Sequence, residues 1–428
     1  MDHARGISEN THGLMKYATV LLGFYLSRRS LLSHLHLAIL LGMTVALGPL
    51  ALDAYLPAFP DIADGLGVDH GHVGLTLSAY VTTLGLAQLV GGPLSDRYGR
   101  KPVLFGGLLI FMAGAVMVSL ADTLSDMVFW RIAQGIGGAF CAVSVPAIVR
   151  DEVSGQDAAR LFGLIGLIMF IAPAAAPSLG SLMLALGEWH WIFLMLAGYA
   201  AFLVLTLQLA LFPRLQPRTP TTTPIRSLVT NYLLVLKHKT TMRFIGIQVL
   251  CFSTMLLFIT HSSFIYQEWY GLSNSTFALL FAANIAFMAA LNLTNRPLLR
   301  RFSSVQLVRA QVIAQCLALV ALVASVQFQG PLWLVAGCII VAIGCQGGIV
   351  PNNMANAMEF FPNLSGTAAA LLGASQFTIA GAVSTLSSVS GDQTLLSIAV
   401  SMLACSSGAV LLALGAPRAV ALAKESGL

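Results

Sequence analysis

Gly91-Gly92-Pro93-Leu94-Ser95-Asp96-Arg97-Tyr98-Gly99-Arg100-Lys101-Pro102 joins two long apolar stretches, 73-94 and 102-120, and packs a tight turn and four charges into a few residues. Glycine permits the turn, and Pro102 suits the start of a helix. A bilayer core of about 30 Å needs about 20 apolar residues per helix, so both flanks are long enough to span one. Outward from this point the pattern repeats. Twelve weakly charged stretches run 35-56, 73-94, 102-120, 126-149, 159-184, 191-212, 244-266, 276-295, 305-327, 331-353, 367-387 and 394-414. Only 9% of the residues are charged, against about 25% in a soluble domain, and 57% are hydrophobic, which leaves too little polar surface for water.

The charges report topology. Lys and Arg are retained on the cytoplasmic side of a membrane, so a correct set of spans leaves alternate loops without them. Of the 22 Lys and Arg residues, all but Arg131 fall in the N-terminal segment (Arg5, Lys16, Arg28, Arg29), in alternate loops, or in the tail (Arg418, Lys424). Those loops hold Arg97, Arg100 and Lys101; Arg150 and Arg160; Arg214, Arg218, Arg226, Lys237, Lys239 and Arg243; and Arg296, Arg300, Arg301 and Arg309. The intervening loops hold Asp61, Asp64, Asp69, Asp122, Asp126, Glu188, Glu268 and Asp392 instead. Both termini are therefore expected in the cytoplasm. The net charge of +5 is spread over separate loops and forms no single face, which excludes a nucleic-acid partner.

Six spans, a polar loop containing Pro213, Pro217, Pro220 and Pro224, and six more spans predict two halves facing a central cavity. The expected divisions are 1-34 (cytoplasmic segment), 35-212 (first half), 213-243 (linker), 244-414 (second half) and 415-428 (tail). Arg296-Pro297-Leu298-Leu299-Arg300-Arg301 faintly echoes Arg97-Tyr98-Gly99-Arg100-Lys101, as duplication would leave it. The six cysteines lie inside spans without CxxC spacing, so neither a disulfide nor a metal is expected, and no cofactor. The apolar stretch 17-26 is too short to span and has no signal-peptide cleavage pattern.

Arg131 is the one basic residue within a span. An arginine near the bilayer centre costs at least about 2.5 kcal/mol, so it must face protein, water or a counter-charge, or snorkel to the nearby outer interface. Helical spacing places Gln134, Gly135, Gly138 and Ala142 on its side. Asp53, late in the first span, is the matching acid. Low dielectric favours the neutral form of a carboxyl group and a nearby guanidinium the charged form, so a changing Asp53–Arg131 distance could load and release a proton. The alternative is an aspartate that tethers the helix end. His261, with Thr254, Thr260 and Tyr266 nearby, is a possible proton or substrate contact or a packed polar residue; Tyr55, Gln134, Gln346 and Gln376 are candidate substrate contacts, as are Asn352 and Asn353. Glu268 is expected to be solvated.

Several of these strings carry a family resemblance. The opening string resembles, almost residue for residue, the loop signature Gly-x-Leu-Ala-Asp-Arg-x-Gly-Arg-Lys of the major facilitator superfamily, with Ser95 in place of alanine. The resemblance implies a cytoplasmic charge network latching the two halves, falling here on Gly92, Asp96, Arg97, Gly99, Arg100 and Lys101, with Arg150 and Asp151 after the fourth span. Arg131-Ile132-Ala133-Gln134-Gly135-Ile136-Gly137-Gly138-Ala139 resembles the fourth-span arginine signature of proton antiporters in that superfamily. Leu52-Asp53-Ala54-Tyr55-Leu56-Pro57-Ala58-Phe59-Pro60, Trp189-His190-Trp191-Ile192-Phe193, Phe264-Ile265-Tyr266-Gln267-Glu268 and Ser365-Gly366-Thr367-Ala368-Ala369-Ala370 narrow it to the bicyclomycin/chloramphenicol-resistance (Bcr/CflA) drug:proton antiporters. Ile171-Ala172-Pro173-Ala174-Ala175-Ala176-Pro177-Ser178-Leu179-Gly180 resembles the exporters' fifth-span signature, with Ala-Pro for Gly-Pro, and implies a helix bent at Pro173 and Pro177.

The expectation is an all-α inner-membrane protein with the major facilitator fold, exchanging an outgoing small amphipathic or apolar drug-like substrate for incoming protons by alternating access. It is expected to act as a monomer in the lipid bilayer. A transporter of a metabolite such as an amino acid or nucleoside is the alternative; a channel or membrane-embedded enzyme is a more distant one. No GxxxxGK[ST] phosphate loop is present, which argues against an ATP-driven pump.

Overall fold

The computed structural model describes residues 35–153, 155–213, 215, 225–361, 364–389 and 394–415. The expectations for 1-34, for Arg214, Arg218 and Asp392, and for Arg418 and Lys424 lie outside the described residues. Among the described residues, 12 helices are long and apolar enough to cross a membrane. We label them α1 (Leu35–Leu66), α2 (His70–Tyr98), α3 (Arg100–Ser119), α4 (Leu124–Glu152), α5 (Arg160–Leu186), α6 (His190–Leu211), α7 (Lys239–Trp269), α8 (Asn274–Leu298), α9 (Ser304–Gln327), α10 (Leu332–Met358), α11 (Gly366–Val389) and α12 (Leu395–Leu414).

Polarity is inverted relative to a water-soluble protein. Phe129, Ile171, Leu209, Leu279, Leu386 and Leu411 are exposed on the outside, whereas Arg131 is among the largest fully buried side chains. Such a surface suits hydrocarbon, and it makes the chain a multi-pass membrane protein.

The helices outrun the apolar stretches that predict them. Asp96 and Arg97 lie on the last turn of α2, Arg100 and Lys101 on the first turn of α3, and Gly99 alone separates them, with φ +96°, a conformation that favours glycine. Charged side chains at helix ends reach the headgroup region, so charge does not end a membrane helix where it ends the apolar count. The linker differs from the polar loop expected: Ile225–Lys237 is a helix, and only His238 separates it from α7.

The helices α1–α6 pack among themselves, as do α7–α12, and the pairs α2/α11 and α5/α8 join the two sets. Alternate crossings gather the Arg97–Lys101 turn and the linker at one end, the basic end, and Asp64, His70 and Glu268 at the opposite, acidic end. Several inter-set contacts lie toward the acidic end. His70 Nδ1 is 2.6 Å from Glu268 Oε1, Gln267 Nε2 donates to the Pro57 carbonyl (3.1 Å), and Ser181 Oγ donates to that of Asn274 (3.4 Å). Ser78 Oγ donates to Ser384 Oγ at 2.8 Å, farther along the α2/α11 seam.

Candidate functional site

The site begins where α1 breaks. Its regular helix runs through Asp53, turns at Ala54 and Tyr55, continues as one 3-10 turn over Leu56–Ala58, and resumes as α-helix over Phe59–Leu66. Pro57 is the cause: it has no N–H for the carbonyl of Asp53 four residues back, and its ring conflicts with that carbonyl. The break pushes the Ala54 carbonyl against Gly180 of α5, where any Cβ would collide with it. Tyr55, now on the break, is fully buried.

Arg131 of α4 fills the space behind the break. It is 0% exposed, which rules out snorkelling to the interface. Its Nη2 donates to the carbonyl of Ala51 at the end of the regular α1 helix (3.0 Å), its Nη1 to Gln134 Oε1 (2.6 Å), and its Nε to the carbonyl of Thr76 on α2 (3.4 Å). The guanidinium carbon lies 4.6 Å from the Tyr55 ring centroid and 4.5 Å from that of Tyr80, with Phe193 of α6 at 5.9 Å. Tyr55 is itself pinned, its Oη 3.0 Å from Thr76 Oγ1 and its ring 5.1 Å from Phe59. One cation thus ties α1, α2, α4 and α6.

Asp53, two residues beyond Ala51 on α1, is buried and its Oδ1 has no hydrogen-bond partner. No ion pair joins it to Arg131 among the described residues; backbone carbonyls and Gln134 take the guanidinium instead. A carboxyl group left free in a protein interior can exchange a proton without first breaking a salt bridge.

The other expected residues fall into separate places. His261 on α7 is buried, its Nε2 2.9 Å from Ser387 Oγ of α11, while Thr260 Oγ1 is 2.6 Å from Ser384 Oγ. Tyr266 is fully buried in the π-helical turn Phe264–Trp269 that ends α7. Gln376 Oε1 accepts from Gln248 Nε2 (3.0 Å), and Gln346 Nε2 donates to the Cys251 carbonyl (2.5 Å). These amides tie α7, α10 and α11 together, as do Asn353 with Gln248 and Asn352 with Asn295 of α8. The helix of α5 continues through both Pro173 and Pro177.

At the basic end, Arg100 bridges two acids: Nη1 to Asp96 Oδ1 at 2.5 Å and Nε to Asp151 Oδ2 at 2.8 Å. These contacts lie within the first six helices. Arg97 sits 5.5 Å over the ring of Tyr98, Lys101 5.3 Å over that of Phe212, and Arg150 Nε donates to the Pro146 carbonyl. Gly92 has nothing near its Cβ position.

Sequence reasoning missed Tyr80, Thr76 and His70. Nothing about a tyrosine in an apolar window marks it as a cation's partner, although Gly138 hints at one: a Cβ there would lie 2.7 Å from Tyr80 Oη. Glu268, expected to be solvated, is half-buried against His70, which Asp64 also approaches at 3.6 Å.

The profile of the Major Facilitator Superfamily matches residues 37–385. The chain is 31% identical over 360 residues (82% of it, 88% of the relative) to "Uncharacterized MFS-type transporter YdgK" of Bacillus subtilis (strain 168). It is 28% identical over 351 residues (81% and 87%) to "Bicyclomycin resistance protein homolog" of Haemophilus influenzae. Its fold resembles the crystal structure of a D-xylose-proton symporter with a TM-score of 0.73, covering 90% of this chain and 96% of that one at 14% identity.

Proposed function

We propose that this chain, which belongs to the Major Facilitator Superfamily and is a multi-pass inner-membrane protein, exports small amphipathic or apolar drug-like compounds in exchange for protons. The observation that carries the reading is the pairing of a fully buried, fully engaged Arg131 with an Asp53 oxygen that has no partner, at the break in α1. The arginine supplies a fixed positive field, and the carboxyl group supplies a titratable site beside it. The name of the Haemophilus influenzae relative supports a drug as cargo.

Direction follows from the charges. The basic end faces the cytoplasm, with both termini, because Lys and Arg resist translocation. On this reading the contacts of Glu268 with His70 and of Gln267 with Pro57 seal the periplasmic side. Alternation breaks these contacts and brings the two halves together at the basic end, where Asp96, Arg100 and Asp151 form the first half's share of the latch.

The test is transport in proteoliposomes under an imposed pH gradient, with chloramphenicol or bicyclomycin as substrate. Gradient-driven flux is expected for the wild type and its loss for Asp53→Asn and Arg131→Ala, with both variants folded. Gradient-driven movement of amino acids or nucleosides with no drug flux would replace the cargo; Asp53→Asn transporting as the wild type does would remove the proton site.

A further inference from the structure

We propose that Tyr80 is a positioning residue for proton coupling: its ring, with that of Tyr55, holds the Arg131 guanidinium on the backbone of α1 and α2 and away from the carboxyl group of Asp53. The proposal rests on the reading of Asp53 as the proton site. Arg131 and Asp53 occupy one buried region, yet no ion pair forms between them among the described residues.

Two features keep them apart. Each acceptor of Arg131 is neutral: the carbonyls of Ala51 and Thr76, and the amide of Gln134. The aromatic faces of Tyr55 and Tyr80 then occupy the guanidinium at 4.6 and 4.5 Å. A guanidinium binds well to aromatic faces because it is planar and weakly hydrated, so the rings compete with a carboxylate for it. Tyr80 is the ring to test, because it does nothing else visible. Tyr55 also bonds to Thr76 and packs on Phe59 and Phe193, whereas the buried Tyr80 Oη has no partner.

Its seat is cut for the ring. A Cβ on Gly138 would come within 2.7 Å of Tyr80 Oη and 3.5 Å of Cζ, so the glycine of α4 lets the ring lie over Arg131, seven residues earlier on the same helix. Gly138 therefore has a physical task in seating this clamp. Without it, the guanidinium is free to reach Asp53, and a salt-bridged carboxylate gives up its place to a proton only at lower pH.

The experiment compares wild type, Tyr80→Phe, Tyr80→Leu, Gly138→Ala and Asp53→Asn in drug-driven proton release from proteoliposomes over pH 5 to 9, with monodispersity and melting as folding controls. Tyr80→Phe keeps the ring face and should retain the wild-type profile. Tyr80→Leu should move the midpoint of the profile to lower pH by about one unit. Gly138→Ala displaces the ring without changing its chemistry, and should move the midpoint in the same direction by less. It serves as the test if Tyr80→Leu fails to fold. A folded Tyr80→Leu or Gly138→Ala protein with the wild-type midpoint overturns the proposal, as does a shift in Tyr80→Phe equal to that in Tyr80→Leu, which would assign the effect to the hydroxyl. If Asp53→Asn keeps the wild-type pH dependence, the proton-site reading itself fails and this proposal falls with it.

Discussion

Replacing Arg131 by lysine keeps the charge and removes the fork. Three guanidinium nitrogens reach acceptors on different elements, at 2.6, 3.0 and 3.4 Å, while the planar group lies over two tyrosine rings. The 3.4 Å bond is too long to weigh heavily. An ammonium is a single point and cannot serve both Ala51 and Gln134 from the positions the two Nη atoms hold. The expected loss is about one charge-assisted hydrogen bond, about 1.5–3 kcal/mol, and about one cation–π contact, about 0.5–2 kcal/mol, hence about 2–5 kcal/mol in all. Scaled to a chain of this size, at about 2 °C per kcal/mol, the melting midpoint in detergent should fall by about 4–10 °C. The exposed Arg301→Lys is the control and should melt as the wild type does. A double change, Arg131→Lys with Gln134→Leu, should cost less than the sum of the single ones, because both remove the same bond. A midpoint for Arg131→Lys within about 1 °C of the wild type, read against the same scale, refutes the claim that the fork geometry stabilises the break in α1.

Adjacent glycines on α3 give an internal comparison. Gly107→Ala would place a methyl 2.7 Å from Phe140 Cβ and 2.9 Å from the Gly137 carbonyl and should cost about 1–3 kcal/mol in melting experiments, whereas Gly106→Ala meets nothing within 4 Å and should be neutral or mildly stabilising. At the acidic end, the groups facing His70 are Glu268 at 2.6 Å and Asp64 at 3.6 Å, while neighbouring Asp69 lies 3.7 Å from His72. Glu268 is the nearer of the two carboxylates, so Glu268→Gln should loosen this closure. Spin labels at Leu66 and Ser275 should report a longer distance in Glu268→Gln than in the wild type; an unchanged distance counts against the pairing. At the basic end, Asp151→Asn leaves Arg100 with Asp96 and the Ser95 hydroxyl and should slow drug flux severalfold in a protein that still folds. Unchanged flux would mean the bridge plays no part in alternation.

The spans and their order were legible because hydrocarbon imposes length and charge sets the ends. The limits of that legibility fall on particular residues. The first apolar stretch stops at 56, yet α1 continues past the break to Leu66, because Asp61 and Asp64 sit on one exposed side of a helix whose other side buries Ile62 and Ala63. The Arg97–Lys101 turn was expected as a loop of charges and is a single glycine between two helix ends. Arg100 and Asp151 could be matched because the Gly91–Pro102 string resembles a family signature that implies a charge network there, and the two side chains meet at 2.8 Å.

Arg131 and Asp53 were also legible as residues, but their relation was not. Sequence supplies an acid and a base in one region, and opposite charges are then the natural pair. It does not show that the regular helix of α1 ends at Asp53 with the Ala51 carbonyl held by Arg131, nor that the Tyr80 ring comes across from α2. The difference has a functional consequence. A buried Arg–Asp salt bridge would hold both charges against desolvation and would have to be broken at each turnover. An arginine bound to neutral carbonyls and ring faces needs no such break, which is what the proposed proton exchange at Asp53 requires. The end of the regular α1 helix at Asp53 bears on this arrangement, because the Ala51 carbonyl in its last turn takes one guanidinium nitrogen while the Thr76 carbonyl of α2 takes another.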